Sequence, residues 1–183
     1  DGIDACIQLL DKLSKSDDIT TTLKNLVICI IPVYNIDGAL NRNSTTRVNQ
    51  DGPESYGFRG NARNFDLNRD FIKSETLNAQ SFAQIFRTWD PDVFVDTHVS
   101  NGADYQYVMT LIPTQHNKLP LPLDNYLKQT MLPVLYQEME NVGFPMTPYV
   151  NEIKQIPDDG IAGFLDLGRY STGYTAMFNT LGF

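Results

Sequence analysis

Apolar residues recur at three- and four-residue steps in three stretches of the chain, and this spacing predicts amphipathic helices. The first helix is expected over Ile3–Leu13. The second begins after Ser74, a candidate N-cap, and ends before Pro91. The third covers Leu127–Val142 and should be kinked at Pro133, because proline lacks an amide hydrogen.

The apolar run Leu26–Val33 predicts a strand buried on both faces, and Val93–Val99 and Tyr105–Ile112 are also predicted as strands. Between them, residues 34–74 have no sustained period and are rich in Asn, Gly, Asp and Arg. Loops of this length are commonly functional. Because helices and apolar strands alternate, the pattern favours an α/β fold.

The length and charge of the chain limit the number of domains and the kinds of partner that it can have. The 183 residues fit one domain, residues 1–183. With 22 acidic and 14 basic residues the net charge is −8, so the overall field repels phosphate backbones and anionic lipids. The longest apolar run is far shorter than the roughly 20 residues of a membrane helix. We therefore expect no nucleic-acid partner and no membrane insertion.

Both ends of the sequence look cut. The chain begins with Asp1 and is helix-patterned almost at once, and apolar residues continue to Phe183 at the other end. Intact domains more often end in polar residues. We therefore expect a fragment of a longer protein.

Five of the seven arginines lie in a stretch of 28 residues that contains no lysine. Arginine without lysine suits fixed, bidentate recognition of a carboxylate or phosphate. The alternative is a set of loop ion pairs with nearby acidic residues. The arginines are Arg42, Arg47, Arg59, Arg63 and Arg69, and the candidate acidic partners are Asp51, Glu54, Asp66 and Asp70.

A second polar group, Asp96 and His98, ends the predicted strand Val93–Val99. Side chains two apart on a strand share a face, so Asp96 either orients His98 or neutralises another neighbour. His116 stands in a polar loop and is expected to be exposed. The sequence contains no HxxE, HExxH or CxxC metal motif and no serine-hydrolase or phosphate-loop motif.

Several segments, in order, resemble the zinc carboxypeptidase family, the carboxypeptidase A-like metallopeptidases. They are Pro32–Gly38 (PVYNIDG), Gly57–Arg59 (GFR), Asn64–Phe71 (NFDLNRDF), Asp96–His98 (DTH) and Arg169–Tyr174 (RYSTGY). The resemblance implies a mixed β-sheet flanked by helices on both faces, here truncated at both ends. It also implies a zinc-dependent peptidase whose substrate carries a free carboxylate.

The resemblance implies a role for each matching residue. His98 corresponds to the third zinc ligand, and Asp66 to the carboxylate that orients a zinc-bound histidine. Asn68 and Arg69 correspond to the pair that binds the terminal carboxylate of the substrate. Arg59 corresponds to the arginine that polarises the scissile carbonyl and stabilises its oxyanion. Tyr170 is the choice for the family's mobile tyrosine, with Tyr174 as its rival.

The missing motifs limit what this chain is expected to do. The family's HxxE pair and its catalytic glutamate would lie just outside the two ends, so the chain alone is expected to be inactive and to bind zinc weakly or not at all. Two alternatives stay open. One is a zinc amidohydrolase or deacylase on the same scaffold, and the other is a non-catalytic module that binds carboxylates. Secretion would fit such a peptidase.

Overall fold

A computed structural model describes residues 2–15, 23–47, 53–99, 105–114, 119–149, 152–153 and 161–163. The first half contains helix α1 (Gly2–Lys15), helix α2 (Ile36–Leu40), strands β1 (Arg42–Asn43) and β2 (Tyr56–Gly57), a 3₁₀ turn (Leu67–Arg69) and helix α3 (Leu77–Trp89). The second half contains β3 (Met109–Leu111), α4 (Leu121–Tyr126), a π-helical turn (Leu127–Met131), α5 (Leu132–Asn141), β4 (Met146–Pro148), β5 (Glu152–Ile153) and β6 (Ile161–Gly163).

The described strands pair in both orientations. Strands β1 and β2 are antiparallel, as are β5 and β6, whereas β3 and β4 run parallel in the register Met109 to Met146. The helices α4 and α5 connect the parallel pair, as a parallel crossover requires. The α/β character predicted from the sequence is thereby confirmed.

Helix α3 begins two residues later than predicted, because Thr76 and not Ser74 is its N-cap. The Thr76 hydroxyl oxygen accepts a hydrogen bond from the Ala79 amide at 3.1 Å. Ser74 has a φ of +51° and donates its hydroxyl to the Phe71 carbonyl, so it belongs to the preceding turn. The end of the helix, before Pro91, is as predicted.

The helical type changes just before Pro133, where the sequence predicts a kink. A π-helical turn, Leu127–Met131, separates α4 from α5, and the Leu132 amide donates to the carbonyl of Leu127, five residues back. Pro133 has no amide to continue the regular pattern, and π turns are one way of accommodating this. The helical region starts earlier than predicted, at Leu121, and its end is followed by Gly143 in the left-handed region with φ of +83°.

Two predicted strands, Leu26–Val33 and Val93–Val99, do not form regular strands. Neither belongs to any ladder of the described residues, and most of their apolar side chains are exposed, with Val27 80% and Val95 76% accessible. A strand needs a neighbour for its amide and carbonyl groups, and the apolar pattern alone does not supply one. The third predicted strand is confirmed only over Met109–Leu111.

The best-packed part of the described chain is an aromatic cluster beneath residues 67–71. Phe71, Phe82 and Phe86 are buried, and Tyr34 and Phe94 pack against them. Ring centroids lie 5.2 Å apart for Phe71 and Phe82 and 5.4 Å apart for Tyr34 and Phe71. Such contacts add specific geometry to apolar burial. No helix within the described ranges is long and apolar enough to cross a membrane.

Candidate functional site

Residues 58–62 pass unusually close to the backbone of helix α2. The Phe58 amide donates to the Gly38 carbonyl at 2.9 Å. A Cβ atom added to Gly38 would lie 2.2 Å from the Phe58 carbonyl oxygen, so only glycine permits this approach. The backbone just before Arg59 is thereby fixed against α2.

Two polar side chains from the start of α2 hold the same segment. Asn35, the N-cap of α2, accepts from the Gly38 amide at 3.0 Å and donates its Nδ2 to the carbonyls of Arg59 and Gly60, each at 3.2 Å. Asp37 accepts from the Ala62 amide at 2.9 Å. The backbone on both sides of Arg59 therefore has fixed partners.

Asp66 connects two of the predicted site residues. Its Oδ2 atom accepts from Arg59 Nε at 2.8 Å, and its Oδ1 atom accepts from the Asn68 amide at 3.0 Å. The second contact makes Asp66 the N-cap of the 3₁₀ turn Leu67–Arg69. One carboxylate thus fixes the Arg59 side chain relative to the backbone of Asn68.

The loop between Arg59 and Asp66 is a tight, internally bonded turn. Asn61 is buried, and its side-chain oxygen accepts from the amides of Arg63 and Phe65, each at 3.0 Å. Asn64 has a φ of +61°, a conformation that asparagine tolerates better than most residues. This turn brings Asp66 back to within reach of Arg59.

Asp70 ties the 3₁₀ turn to helix α3. Its buried carboxylate accepts from the Thr76 hydroxyl at 2.6 Å, the Thr76 amide at 2.8 Å and the Glu75 amide at 2.9 Å. Burial by itself would raise the pKa of Asp70, but these hydrogen bonds and the charge of Lys73 outweigh it and hold the pKa below its ordinary value. The Asn68-Arg69 pair is therefore anchored to α3 by a carboxylate that favours its charged form.

Tyr34 lies between the aromatic cluster and Asp70. Burial, followed by the negative charge of Asp70, raises the pKa of Tyr34 to about 12. Its hydroxyl oxygen is buried and has no hydrogen-bond partner among the described residues. The neutral form of this tyrosine is favoured throughout the ordinary pH range.

His98 and Asp96 are in direct contact through His98 Nε2 and Asp96 Oδ2, although the strand predicted to carry them is not formed. The alternative in which Asp96 orients His98 is therefore the one that the geometry favours. The beginning of helix α1 lies beside this pair, because a Cβ on Gly2 would be 2.3 Å from Thr97 Oγ1. The His98 side chain is about half exposed, at 53%.

The sequence-predicted residues fall into two groups. Arg59, Asp66, Asn68 and Arg69 form one connected unit, in which Arg69 Nη1 also donates to the Asn68 carbonyl at 2.8 Å. His98 belongs to a separate segment together with Asp96. Tyr170 and Tyr174 lie outside the described residues, as does His116.

The arginines of the stretch differ in the partners that they take. Arg59 makes an ion pair with Asp66, as the structural alternative expected. Asp70, by contrast, takes its hydrogen bonds from Glu75 and Thr76 and not from an arginine. Arg42 donates to a backbone carbonyl, that of Ser55, so the cluster is not a simple set of ion pairs.

Asn35 and Asp37 have no role predicted from the sequence, and Asp70, predicted as a possible partner of an arginine, instead accepts hydrogen bonds from Glu75 and Thr76. An asparagine directly before a short helix is a typical N-cap, which could have identified Asn35. The bonds from Asn35 to residues 59 and 60 and from Asp37 to residue 62 cross 24 or 25 positions of sequence. No local pattern predicts contacts over that separation.

The described residues supply few of the side chains that a catalytic zinc ion requires. They contain no group of three or more His, Cys, Asp or Glu side chains placed to hold a metal. His98 and Asp96 supply one imidazole and one adjacent carboxylate, whereas catalytic zinc takes three protein ligands. The described part of the chain therefore does not form a complete zinc site.

The family model for zinc carboxypeptidases matches residues 2–130. The chain belongs to the zinc carboxypeptidase family. This match covers most of the chain and includes Arg59, Asp66, Asn68, Arg69 and His98, and it confirms the family resemblance found in the sequence. It ends before the region of Tyr170 and Tyr174. Searches of curated proteins and of solved structures found no significant match.

Membership of this zinc carboxypeptidase family implies metallocarboxypeptidase-type hydrolysis, with zinc as the metal and a peptide as the substrate.

Proposed function

We propose that the protein is a zinc-dependent metallocarboxypeptidase that removes C-terminal residues from peptides, with a free carboxylate as the feature it recognises. The observation that carries this proposal is the bridging of Arg59 and Asn68 by the two oxygens of Asp66. The Arg59 guanidinium and the backbone amide of Asn68 are thereby held by one carboxylate within a short, internally bonded segment. This arrangement suits recognition of a substrate that presents two neighbouring oxygen-rich groups.

Arg59 is proposed to act on the scissile carbonyl. Its Nε is bonded to Asp66, while its two terminal nitrogens have no hydrogen-bond partner among the described residues, and the side chain is 45% exposed. A positive charge fixed before the reaction can stabilise the negative oxygen that develops on the carbonyl without reorganisation of the site.

Asn68 and Arg69 are proposed to bind the C-terminal carboxylate. The side-chain amide of Asn68 can donate one hydrogen bond to the carboxylate and the guanidinium of Arg69 can donate two, which fixes the orientation of a planar carboxylate. Their shared 3₁₀ turn is capped at one end by Asp66 and followed by the buried Asp70. The pair therefore starts from a restrained backbone.

Zinc, when bound, would supply an activated water molecule and polarise the scissile carbonyl. We propose His98 as one of its ligands and Tyr170 as the mobile tyrosine. Because the sequence contains no HxxE pair to supply further ligands, we expect this chain alone to be inactive and to bind zinc weakly or not at all. Titration calorimetry with zinc chloride tests the expectation, and one tight stoichiometric zinc would contradict it.

The activity is tested by comparing this chain with a form of the natural protein extended at both ends. The substrates are a peptide with a free C-terminus, the same peptide with an amidated C-terminus, and an N-acyl amino acid. We expect the extended form to cleave the free peptide at least about a hundredfold faster than the amidated one, because the Asn-Arg pair requires a carboxylate.

The variant Arg59→Ala should lower kcat about 10²- to 10³-fold in the extended form, the range seen when one oxyanion donor is removed. Arg63→Ala is the matched control, since it removes an exposed arginine of the same loop. Cleavage of the N-acyl amino acid alone would instead establish a deacylase. Absence of both zinc and hydrolysis in the extended form would favour the non-catalytic carboxylate-binding module.

A further inference from the structure

The side-chain amide of Asn35 uses all of its hydrogen-bonding groups in two different segments. Its oxygen caps helix α2 by accepting from the Gly38 amide. Its nitrogen donates to two successive carbonyls, those of Arg59 and Gly60. A helix cap needs only the first of these contacts, so the other two require a separate explanation.

The two additional contacts are made to the backbone carbonyls of Arg59, whose guanidinium is proposed to stabilise the oxyanion, and of the next residue, Gly60. The flanking positions are held as well, since Phe58 donates to the Gly38 carbonyl and Ala62 donates to Asp37. Three residues at the start of α2 thus restrain the backbone of residues 58–62. Asn35 provides the only side-chain contact made to Arg59's own backbone among the described hydrogen bonds.

The far end of Arg59 is fixed independently by Asp66, at Nε. A guanidinium is planar, so fixing the backbone at one end and Nε at the other limits the directions that its terminal nitrogens can take. Restraint at only one end would leave several staggered side-chain conformations available. The two restraints together are what a preorganised oxyanion donor requires.

We propose that Asn35 is a positioning residue that holds Arg59 in the orientation needed to meet a substrate oxygen, an inference that rests on the proposed function. Only a side chain that accepts one hydrogen bond and donates two fits this place. Aspartate would keep the cap but would set a negative oxygen against the two carbonyls, where Asn35 now donates.

The variant Asn35→Asp separates positioning from capping, and Asn43→Asp is its matched control. Asn43 also accepts backbone hydrogen bonds through its side-chain oxygen, from Thr45 and Thr46, but its nitrogen has no partner among the described residues. Both changes add one negative charge and keep the acceptor. They differ in the loss of donated hydrogen bonds.

The readout is the exchange of the Arg59 Nε proton with water, measured by ¹H–¹⁵N NMR on the chain itself and assigned by its loss in Arg59→Lys. We expect Asn35→Asp to speed this exchange at least about fivefold, the factor that corresponds to one net hydrogen bond. Asn43→Asp should change it less than about twofold. Unchanged exchange in a folded Asn35→Asp variant would overturn the proposal.

A measurement on the unaltered chain covers the case in which Asn35→Asp does not fold. The side-chain amide protons of Asn35 should exchange with water at least about fivefold more slowly than those of Asn43, because among the described residues Asn35 donates them to carbonyls and Asn43 does not. Equal exchange rates at the two positions would overturn the proposal without any variant.

Kinetics in the extended form provide the functional readout. Asn35→Asp should lower kcat about tenfold or more and change KM much less, because orientation matters most in the transition state. A roughly tenfold higher KM with an unchanged kcat would contradict a positioning role. If the extended form has no carboxypeptidase activity, the proposed function fails, whereas the NMR comparison still decides whether Asn35 positions Arg59.

Discussion

The segment of residues 34–90 and the segment of residues 91–99 both carry predicted site residues, but they are built very differently. In the first, buried carboxylate and amide groups have local partners and rest on an aromatic cluster. In the second, most apolar side chains are exposed and no strand is formed. The residues proposed to contact the substrate's oxygens are thus held by hydrogen bonds and packing within the first segment, whereas His98 lies in a segment that joins no ladder among the described residues.

The largest difference between the two segments should appear when an apolar side chain is truncated. Phe82 contacts the rings of Tyr34, Phe71, Phe86 and Phe94, so Phe82→Ala should destabilise the chain by about 3–5 kcal/mol. The matched change Val95→Ala, at an exposed position of the second segment, should cost less than about 0.5 kcal/mol. Urea unfolding followed by circular dichroism measures both, and equal losses would erase the distinction.

The next largest effect is expected at Asp70. Asp70→Asn replaces one of the two buried carboxylate oxygens by an NH₂ group, which cannot accept the hydrogen bonds that Glu75 and Thr76 donate. This change should destabilise the chain by about 2–3 kcal/mol. Glu75→Gln is the control, because its exposed carboxylate pairs with Lys73 at the surface and should matter by less than about 0.5 kcal/mol. Similar losses for the two variants would show that the Asp70 anchor is unimportant.

The dependence of the unfolding free energy on pH below neutrality tests the same comparison. The pKa of Asp70 is lowered in the folded state, so its contribution is complete above the ordinary value of 3.8 and is lost as the pH falls from there through the folded pKa. Unfolding between pH 2 and pH 6 should therefore depend less steeply on pH in Asp70→Asn than in the unaltered chain. Identical slopes would mean that Asp70 does not titrate differently in the two states.

The smallest effect is expected at the Tyr34 hydroxyl. Because its pKa rises from 10.0 to about 12 on folding, stability should be insensitive to this group below pH 10 and should fall as the pH rises from 10 to about 12. Tyr34→Phe should remove that alkaline loss and change neutral-pH stability by less than about 1 kcal/mol. Tyr126→Phe, at an exposed tyrosine, should preserve the alkaline loss, and its disappearance there would contradict the assignment.

The sequence by itself determined the local parts of this protein. Periodicity predicted helices α1 and α3, Pro133 predicted an irregularity in the third helix, and the motif around Asp66-Leu67-Asn68-Arg69 indicated the zinc carboxypeptidase family. These features depend on neighbouring residues, since a helix or a capped turn satisfies its backbone groups within a few positions.

Only the tertiary structure decided the remainder. The pairing of Arg59 with Asp66, the bonds of Asn35 to residues 59 and 60, and the absence of regular strands at 26–33 and 93–99 in the described chain all depend on which distant groups meet. An apolar run indicates that a segment can be a strand, but the strand forms only when a neighbouring strand supplies the hydrogen-bond partners. Contacts of this kind have no periodic signature in a single sequence, because their partners are set by the path of the whole chain.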